Sequence, residues 1–279
     1  MKYKYYCRVK PDSYVVRFLE QKNVKYKIAT ITEMLIFDIY SDTEQSEEFL
    51  EYIQRREGNL ITKSSVFSEQ EMENANWYLL YATRMGMETK DVKYTYDAKC
   101  LYSTAYGIHK YHHLDQVNPF VSSKTPKWKN RYNFCSEETG FMTKIFCSDF
   151  AKEAIVKNQI TGVDFIPVLK KDLKTNVSDV NQLMFPNKLP LEAYTFIGKY
   201  KEKVCPFCGR KKYVFEEPNC DIIRLNTDII PEGIDAFGSK IIVGEGFGEE
   251  LVVISKKFYN LLIKGLNENP KHFILFPIA

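Results

Sequence analysis

Hydrophobic and polar positions alternate in part over residues 24–41, as in Lys25-Tyr26-Lys27-Ile28 and Met34-Leu35-Ile36-Phe37-Asp38-Ile39-Tyr40. A period of two is the signature of strands. Ser41-Asp42-Thr43-Glu44 then supplies an N-cap and first-turn acids, after which Phe49, Leu50, Ile53 and Gln54 recur at helical spacing. Gly58 stands where a helix-terminating glycine is expected, and residues 59–66 read as a further strand. Ser68, with Glu71 three residues on, forms a capping box that starts a second helix, expected to run through Trp77, Leu80 and Tyr81. Residues 92–106 are tyrosine-rich and alternating, which predicts one or two strands. Residues 114–130 hold two prolines, paired serines and few aliphatics, the composition of a linker. They place a boundary near residue 125, between an N-terminal region 1–125 and a C-terminal domain 126–279.

The C-terminal domain reads as one unit written twice. Gly140 precedes Ile145-Phe146-Cys147, then Phe150, Ala154 and Ile155 sit at helical spacing, and the copy ends in Phe165-Ile166-Pro167-Val168. Gly248 precedes Val252-Val253-Ile254-Ser255, then come Phe258, Leu262 and Ile263, and the end is Leu275-Phe276-Pro277-Ile278. Gly140 aligns on Gly248 without a gap through the helix, so Phe150 and Phe258 are expected to be buried at equivalent helix starts. The proline suits a sheet edge, because it cannot donate to a ladder. The fold class is therefore α+β, with the repeated strand-helix-strand unit placed around a Cys-x-x-Cys motif.

Composition adds exclusions. The 279 residues are 44% hydrophobic and 27% charged, enough to bury a core and unlike a disordered chain. With 39 basic and 36 acidic residues, the net charge of +3 argues against a nucleic-acid partner and against an acidic mimic of DNA. The basic N-terminus has no apolar run behind it, and no stretch reaches the length of a membrane span, so a cytoplasmic protein with no membrane partner is expected. Seven cysteines, with one closely spaced pair, suit buried thiols and a metal site better than a disulfide framework. The 19 Tyr and 19 Phe suit protein recognition, although an AT-rich coding sequence accounts for them more simply.

Candidate chemistry centres on Cys205-Pro206-Phe207-Cys208-Gly209. Two cysteines two residues apart in a tight turn can face one ion, which is the zinc-knuckle pattern. Lys203, Arg210, Lys211 and Lys212 would help to keep the thiols ionised. Cys220 is the third candidate zinc ligand, and the fourth is open among Glu217, Asp221, Cys135, Cys147 and His272. Because Lys211-Lys212-Tyr213-Val214-Phe215 reads as a strand, a redox motif opening a helix is disfavoured. His109, His112 and His113 lack a metalloprotease glutamate and read as a solvated loop or helix end. Gly244-Glu245-Gly246-Phe247-Gly248 has Glu249 where the dinucleotide fingerprint needs glycine, and reads as a hairpin turn. The basic stretches 124–131 and 170–174 read as solvated loops. No nucleophile motif is found, so no enzymatic activity is expected.

The CPFCG motif, Ile230-Pro231-Glu232-Gly233-Ile234-Asp235, Val252-Val253-Ile254-Ser255 and the terminal Phe276-Pro277-Ile278 together resemble the double-CXXCG family of bacterial proteins. They are also similar to immunity proteins of polymorphic toxin systems. The resemblance covers residues 140–279, and it implies a cytosolic protein that binds and neutralises a cognate protein toxin, with metal-binding knuckle cysteines. This chain departs from the family in having a single CXXC, with Cys220 alone. The expected function is stoichiometric occlusion of a toxin's active site. The alternatives are a zinc-ribbon-containing nucleic-acid-binding or regulatory protein, and then an enzyme assembled from scattered residues.

Overall fold

A computed structural model describes residues 2–95, 116–128, 132–138, 143–197, 199–204, 211–215, 223–244 and 248–278, and its helices and strands make an α+β fold. Described residues up to Asn74 form one compact unit and those from Ala75 onward another. No helix among the described residues is long and apolar enough to cross a membrane.

The first unit runs β1 (Lys2–Val9), α1 (Ser13–Gln21), β2 (Tyr26–Ile28), β3 (Leu35–Tyr40), α2 (Ser46–Gln54), β4 (Leu60–Val66) and a short α3 (Glu69–Asn74). Its sheet order is β2-β3-β1-β4, with every neighbouring pair antiparallel. Two interleaved strand-helix-strand units in this order make the ferredoxin-like arrangement. Alternation in β1 sends Cys7 and Val9 inward, where they meet Phe37 and Ile39 of β3 and Phe18, Leu19, Phe49 and Ile53 of the helices. Phe18 and Phe49 stack at 3.9 Å, and burying a ring such as Phe49 contributes about 1.5–3 kcal/mol. Asp12 caps α1 by accepting the Val15 N–H at 2.8 Å. The cap expected at Ser41 is corrected: α2 starts later, behind Gln45 at φ 62°. The Ser41 hydroxyl instead accepts the Tyr3 N–H at 2.9 Å and ties the turn to β1. The helix expected to stop at Gly58 ends earlier, at Gln54 with Arg55 as C-cap, and Gly58 takes the following turn at φ +81°, a backbone that disfavours any side chain. The Ser68–Glu71 capping box forms as expected, with Glu71 N–H donating to Ser68 Oγ and Ser68 N–H to the Glu71 carboxylate.

The second unit begins with a correction. Trp77 to Ala82 is a strand, β5, and not the tail of a helix. Tyr78, Leu79, Leu80 and Ala82 are all buried, and a continuous apolar run of this length fits a central strand as well as a buried helix. Next come β6 (Met85–Met87) and a helical turn α4 (Val92–Thr95), where a strand was expected. The rest of that expected strand segment, 96–106, lies outside the described residues. The proline-bearing residues 116–128 pack into the second unit: Phe120 and Val121 are buried, and Val121 bridges Lys90 and Leu169. There follow β7 (Phe134–Glu137), β8 (Ile145–Cys147), α5 (Asp149–Lys157), β9 (Asp164–Leu169), β10 (Asn176–Met184), β11 (Lys188–Leu189), β12 (Tyr194–Phe196), β13 (Tyr200–Val204) and β14 (Lys211–Phe215). The chain closes with β15 (Ile223–Leu225), β16 (Ala236–Ser239), β17 (Ile242–Val243), β18 (Glu249–Glu250), β19 (Val253–Ser255), α6 (Lys256–Asn260) and β20 (Phe273–Ile278).

Two five-stranded sheets of this unit repeat one pattern. Their orders are β6-β7-β8-β10-β9 and β11-β16-β19-β5-β20. In each the first pair is parallel and the next three are antiparallel. The duplication therefore runs β5 to β9 and β10 to β20, wider than the repeat read from the sequence, and each half lends its first strand to the other's sheet. Pro167 and Pro277 lie on edge strands at matching positions, opposite Asn181 and Tyr78, which also face Cys147 and Ile254 respectively. That register, and the caps Ser148 and Ser255, shift the gapless alignment by one residue. Ala151, not Phe150, matches Phe258: each N–H donates to the capping serine at 3.2 Å. One residue is about 100° of helix, so Phe258 is buried while Phe150 is 62% exposed, against the expectation for Phe150. A π turn over Leu261–Gly265 absorbs an extra residue before β20.

Candidate functional site

The CPFCG motif falls between β13 and β14, which pair antiparallel from Tyr200↔Phe215 to Val204↔Lys211. The expected strand after the motif is present as β14. Cys205, Cys208 and Cys220 lie outside the described residues, as do Glu217, Asp221, Cys100 and the histidines at 109, 112 and 113. Among the described residues, no group of three or more His, Cys, Asp or Glu could hold a metal ion.

The distant ligand candidates are placed. Cys135 on β7 lies opposite Phe146 and Cys147 on β8 opposite Phe134, so the two thiols are on opposite faces of the first sheet, and both are buried. Burial pushes the Cys135 thiol up to about 12, with Arg84 opposing and Glu138 adding, and it pushes Cys147 up as well. Thiols held in this protonated form are inert packing groups and poor metal ligands. The His272 ring lies 4.5 Å from that of Tyr132, tilted by 39°, and burial, then Arg84, lowers its pKa.

The β13–β14 hairpin has features that the cysteines do not announce. The sheet order is β13-β14-β17-β18, so β13 is an edge, and all five of its residues are exposed. On its inner side Phe196, Tyr200, Tyr213 and Phe215 form a ring cluster, with Phe196 5.1–5.3 Å from each of the others. Tyr213 is buried, whereas Tyr200 is 45% exposed and Val204 52% exposed. Glu202 pairs with Lys211 across the hairpin at 3.0 Å. Lys212, expected to bias the knuckle thiols, is instead buried at the next position. β17 and β18, which flank this glycine-rich stretch, pair antiparallel as the expected hairpin requires, while residues 245–247 lie outside the described residues. The sequence signal for the edge was the alternation of Tyr200, Glu202 and Val204 with Lys201 and Lys203.

A second polar group braces this region. Glu249 accepts from the Thr143 N–H at 2.6 Å and from its hydroxyl at 2.7 Å, and Lys188 pairs with Glu250. Burial lowers the pKa of Lys144 beside them, against the pull of Glu250. These bonds join segments far apart in the chain, and their partners are satisfied within the fold, which is the arrangement of a structural tie.

No protein-family model matches the chain, and no curated protein matches it in sequence.

Proposed function

We propose that this chain is an immunity-type protein that binds a cognate protein toxin in the cytosol and neutralises it stoichiometrically by occluding the toxin's active site. The observation that supports this reading is the β13 edge. Among the described strands β13 lies at the sheet's edge, and an exposed edge strand can accept a partner strand through its main chain, while side chains on either face give specificity. Tyr200 backed by an aromatic cluster is the type of anchor that dominates protein interfaces. Lys201 and Lys203 on the same strand discourage indiscriminate edge pairing. In this reading Cys205, Cys208 and Cys220 hold a zinc ion that fixes the hairpin turn, and the ion's part is structural.

The test is capture from nuclease-treated host lysate in high salt, followed by reconstitution with the purified partner. One stoichiometric protein partner is expected, with affinity lowered about thirtyfold or more by Tyr200→Ala combined with Val204→Asp. Both positions are exposed, so the fold should tolerate the change. A partner that binds the double variant as tightly as the parent refutes the edge as the docking site. No protein partner, with nucleic acid retained only before nuclease treatment and released by Lys201→Glu combined with Lys203→Glu, moves the zinc-ribbon reading ahead.

A further inference from the structure

The sheet of the first unit has one face packed on α1 and α2 and one face open. Because directly opposed residues of antiparallel strands point the same way, the register assigns the open face. Its rows are Lys27–Ile36–Arg8–Leu60, Asp38–Tyr6–Thr62 and Tyr40–Lys4–Ser64, with Lys2 opposite Val66 at the end. Charge is segregated across the layers. The open face carries Lys2, Lys4, Arg8 and Lys27 against Asp38, with Lys2 paired to Asp42 of the following turn at 3.1 Å, whereas α1 and α2 carry Glu20, Glu47, Glu48 and Glu51 against Arg17. Residues 2–74 together hold 11 basic and 13 acidic residues, so the net charge conceals a basic face on an acidic unit.

We infer that this open face binds single-stranded nucleic acid, with Tyr6 and Tyr40 as stacking platforms and Lys4, Arg8 and Lys27 as phosphate contacts. Tyr6 is on β1 and Tyr40 on β3, the two central strands, and they are 39% and 36% exposed. Their rows are adjacent, which makes them diagonal neighbours about 7–8 Å apart, within reach of successive splayed bases. Four-stranded sheets with aromatics on their open face use this arrangement to stack bases. Arg8 forms no ion pair among the described residues. One terminal guanidinium nitrogen donates to Thr32 at 2.8 Å and the Nε is buried, which leaves the other terminal nitrogen as the donor for a phosphate. Asp38, the one acid on the face, is balanced by Lys4 at 3.5 Å and can accept from an exocyclic base amine. A cleft of about 910 Å³ runs over the β2 edge of the sheet, lined by Tyr6, Lys27, Asp38 and Tyr40 of this face and by Lys22, Lys25 and Tyr26 beyond it, which is room for a nucleotide. An acidic protein segment would satisfy the lysines but would leave the paired tyrosines unexplained.

This site is in a different unit from the β13 edge, and either proposal stands without the other. The experiment is fluorescence anisotropy of the full chain with a labelled oligouridylate of roughly twelve nucleotides. Binding is expected at low salt, weakening steeply between about 50 and about 200 mM. Tyr6→Ala and Arg8→Gln should each weaken it about tenfold or more, Tyr6→Phe should retain it, and Tyr14→Ala on the helical side should leave it unchanged. Absence of binding at low salt overturns the proposal. So does equal weakening by Tyr6→Ala and Tyr14→Ala, or tighter binding of an oligoglutamate peptide of the same length.

Discussion

Asp235 shows how single residues hold the two halves of the second unit together. Its carboxylate accepts from the Thr161 N–H at 3.1 Å, the Thr161 hydroxyl at 3.2 Å, the Ser255 hydroxyl at 2.8 Å and Lys257 Nζ at 3.0 Å. Ser255 caps α6 in the same half, whereas Thr161 follows α5 in the other. The mirror position is Asn133, which accepts from the α5 cap Ser148 at 3.1 Å and donates twice to Glu268, beyond α6, at 2.9 and 2.7 Å. Burial acts to raise the Asp235 pKa, and the bonds from Thr161, Ser255 and Lys257 together outweigh it, so the net shift is downward. A carboxylate with a lowered folded pKa contributes stability above its unfolded value, about 3.9, and loses it as pH falls through the folded value. Asp235→Asn keeps the shape but turns an amide N–H toward donors. It should cost about 1–3 kcal/mol at pH 7 in urea unfolding. The gap to the parent should narrow below about pH 4. A gap that is constant or widens on acidification would remove the charge from this account.

At the scale of elements, what was legible in the sequence is what short-range chemistry decides. The Ser68–Glu71 box, the strand β4 and the β17–β18 hairpin each depend on neighbours a few residues away. Trp77–Ala82 was read as helix because its state is set by β19 and β20, far along the chain. Phe150 was misplaced because a helix start can move by one residue without altering the hydrophobic pattern, and only the cap fixes it. The candidate site divides in the same way. CPFCG marks the hairpin locally, but nothing local says that β13 is the end strand of its sheet among the described residues or that Phe196 joins the Tyr200 cluster. If the hairpin is fixed by metal, the purified chain carries one zinc, and Cys205→Ser releases it. Each kcal/mol of metal-linked stability should then appear as about 2–4 °C in Tm, reproduced in the parent by a chelator. A metal-free chain, or a melting curve unmoved by the substitution, refutes the knuckle.

The exchange of strands gives the second unit its character as a whole. β10 lies between β8 and β9, and β5 lies between β19 and β20, so neither sheet can close within its own half. The middle strand supplies ladder partners on both sides, and its removal would leave two rows of buried backbone groups unpaired. Leu79, Leu80 and Tyr78 of one half fill the other's core, and Val177, Val180 and Leu183 are buried in return. Two sheets built in this way should melt as one cooperative body, where two self-contained halves would give two transitions. The loop between β9 and β10 offers the test, because Lys170 to Lys174 are exposed. A protease site placed there should give a nicked chain that stays one species on a native gel and in gel filtration, since each fragment holds a strand in the other's sheet. After separation in denaturant, the C-terminal fragment alone should fail to unfold cooperatively, and mixing with the N-terminal fragment should restore the parent's transition. A C-terminal fragment that melts cooperatively on its own would show that this half closes its own sheet, contrary to the strand order.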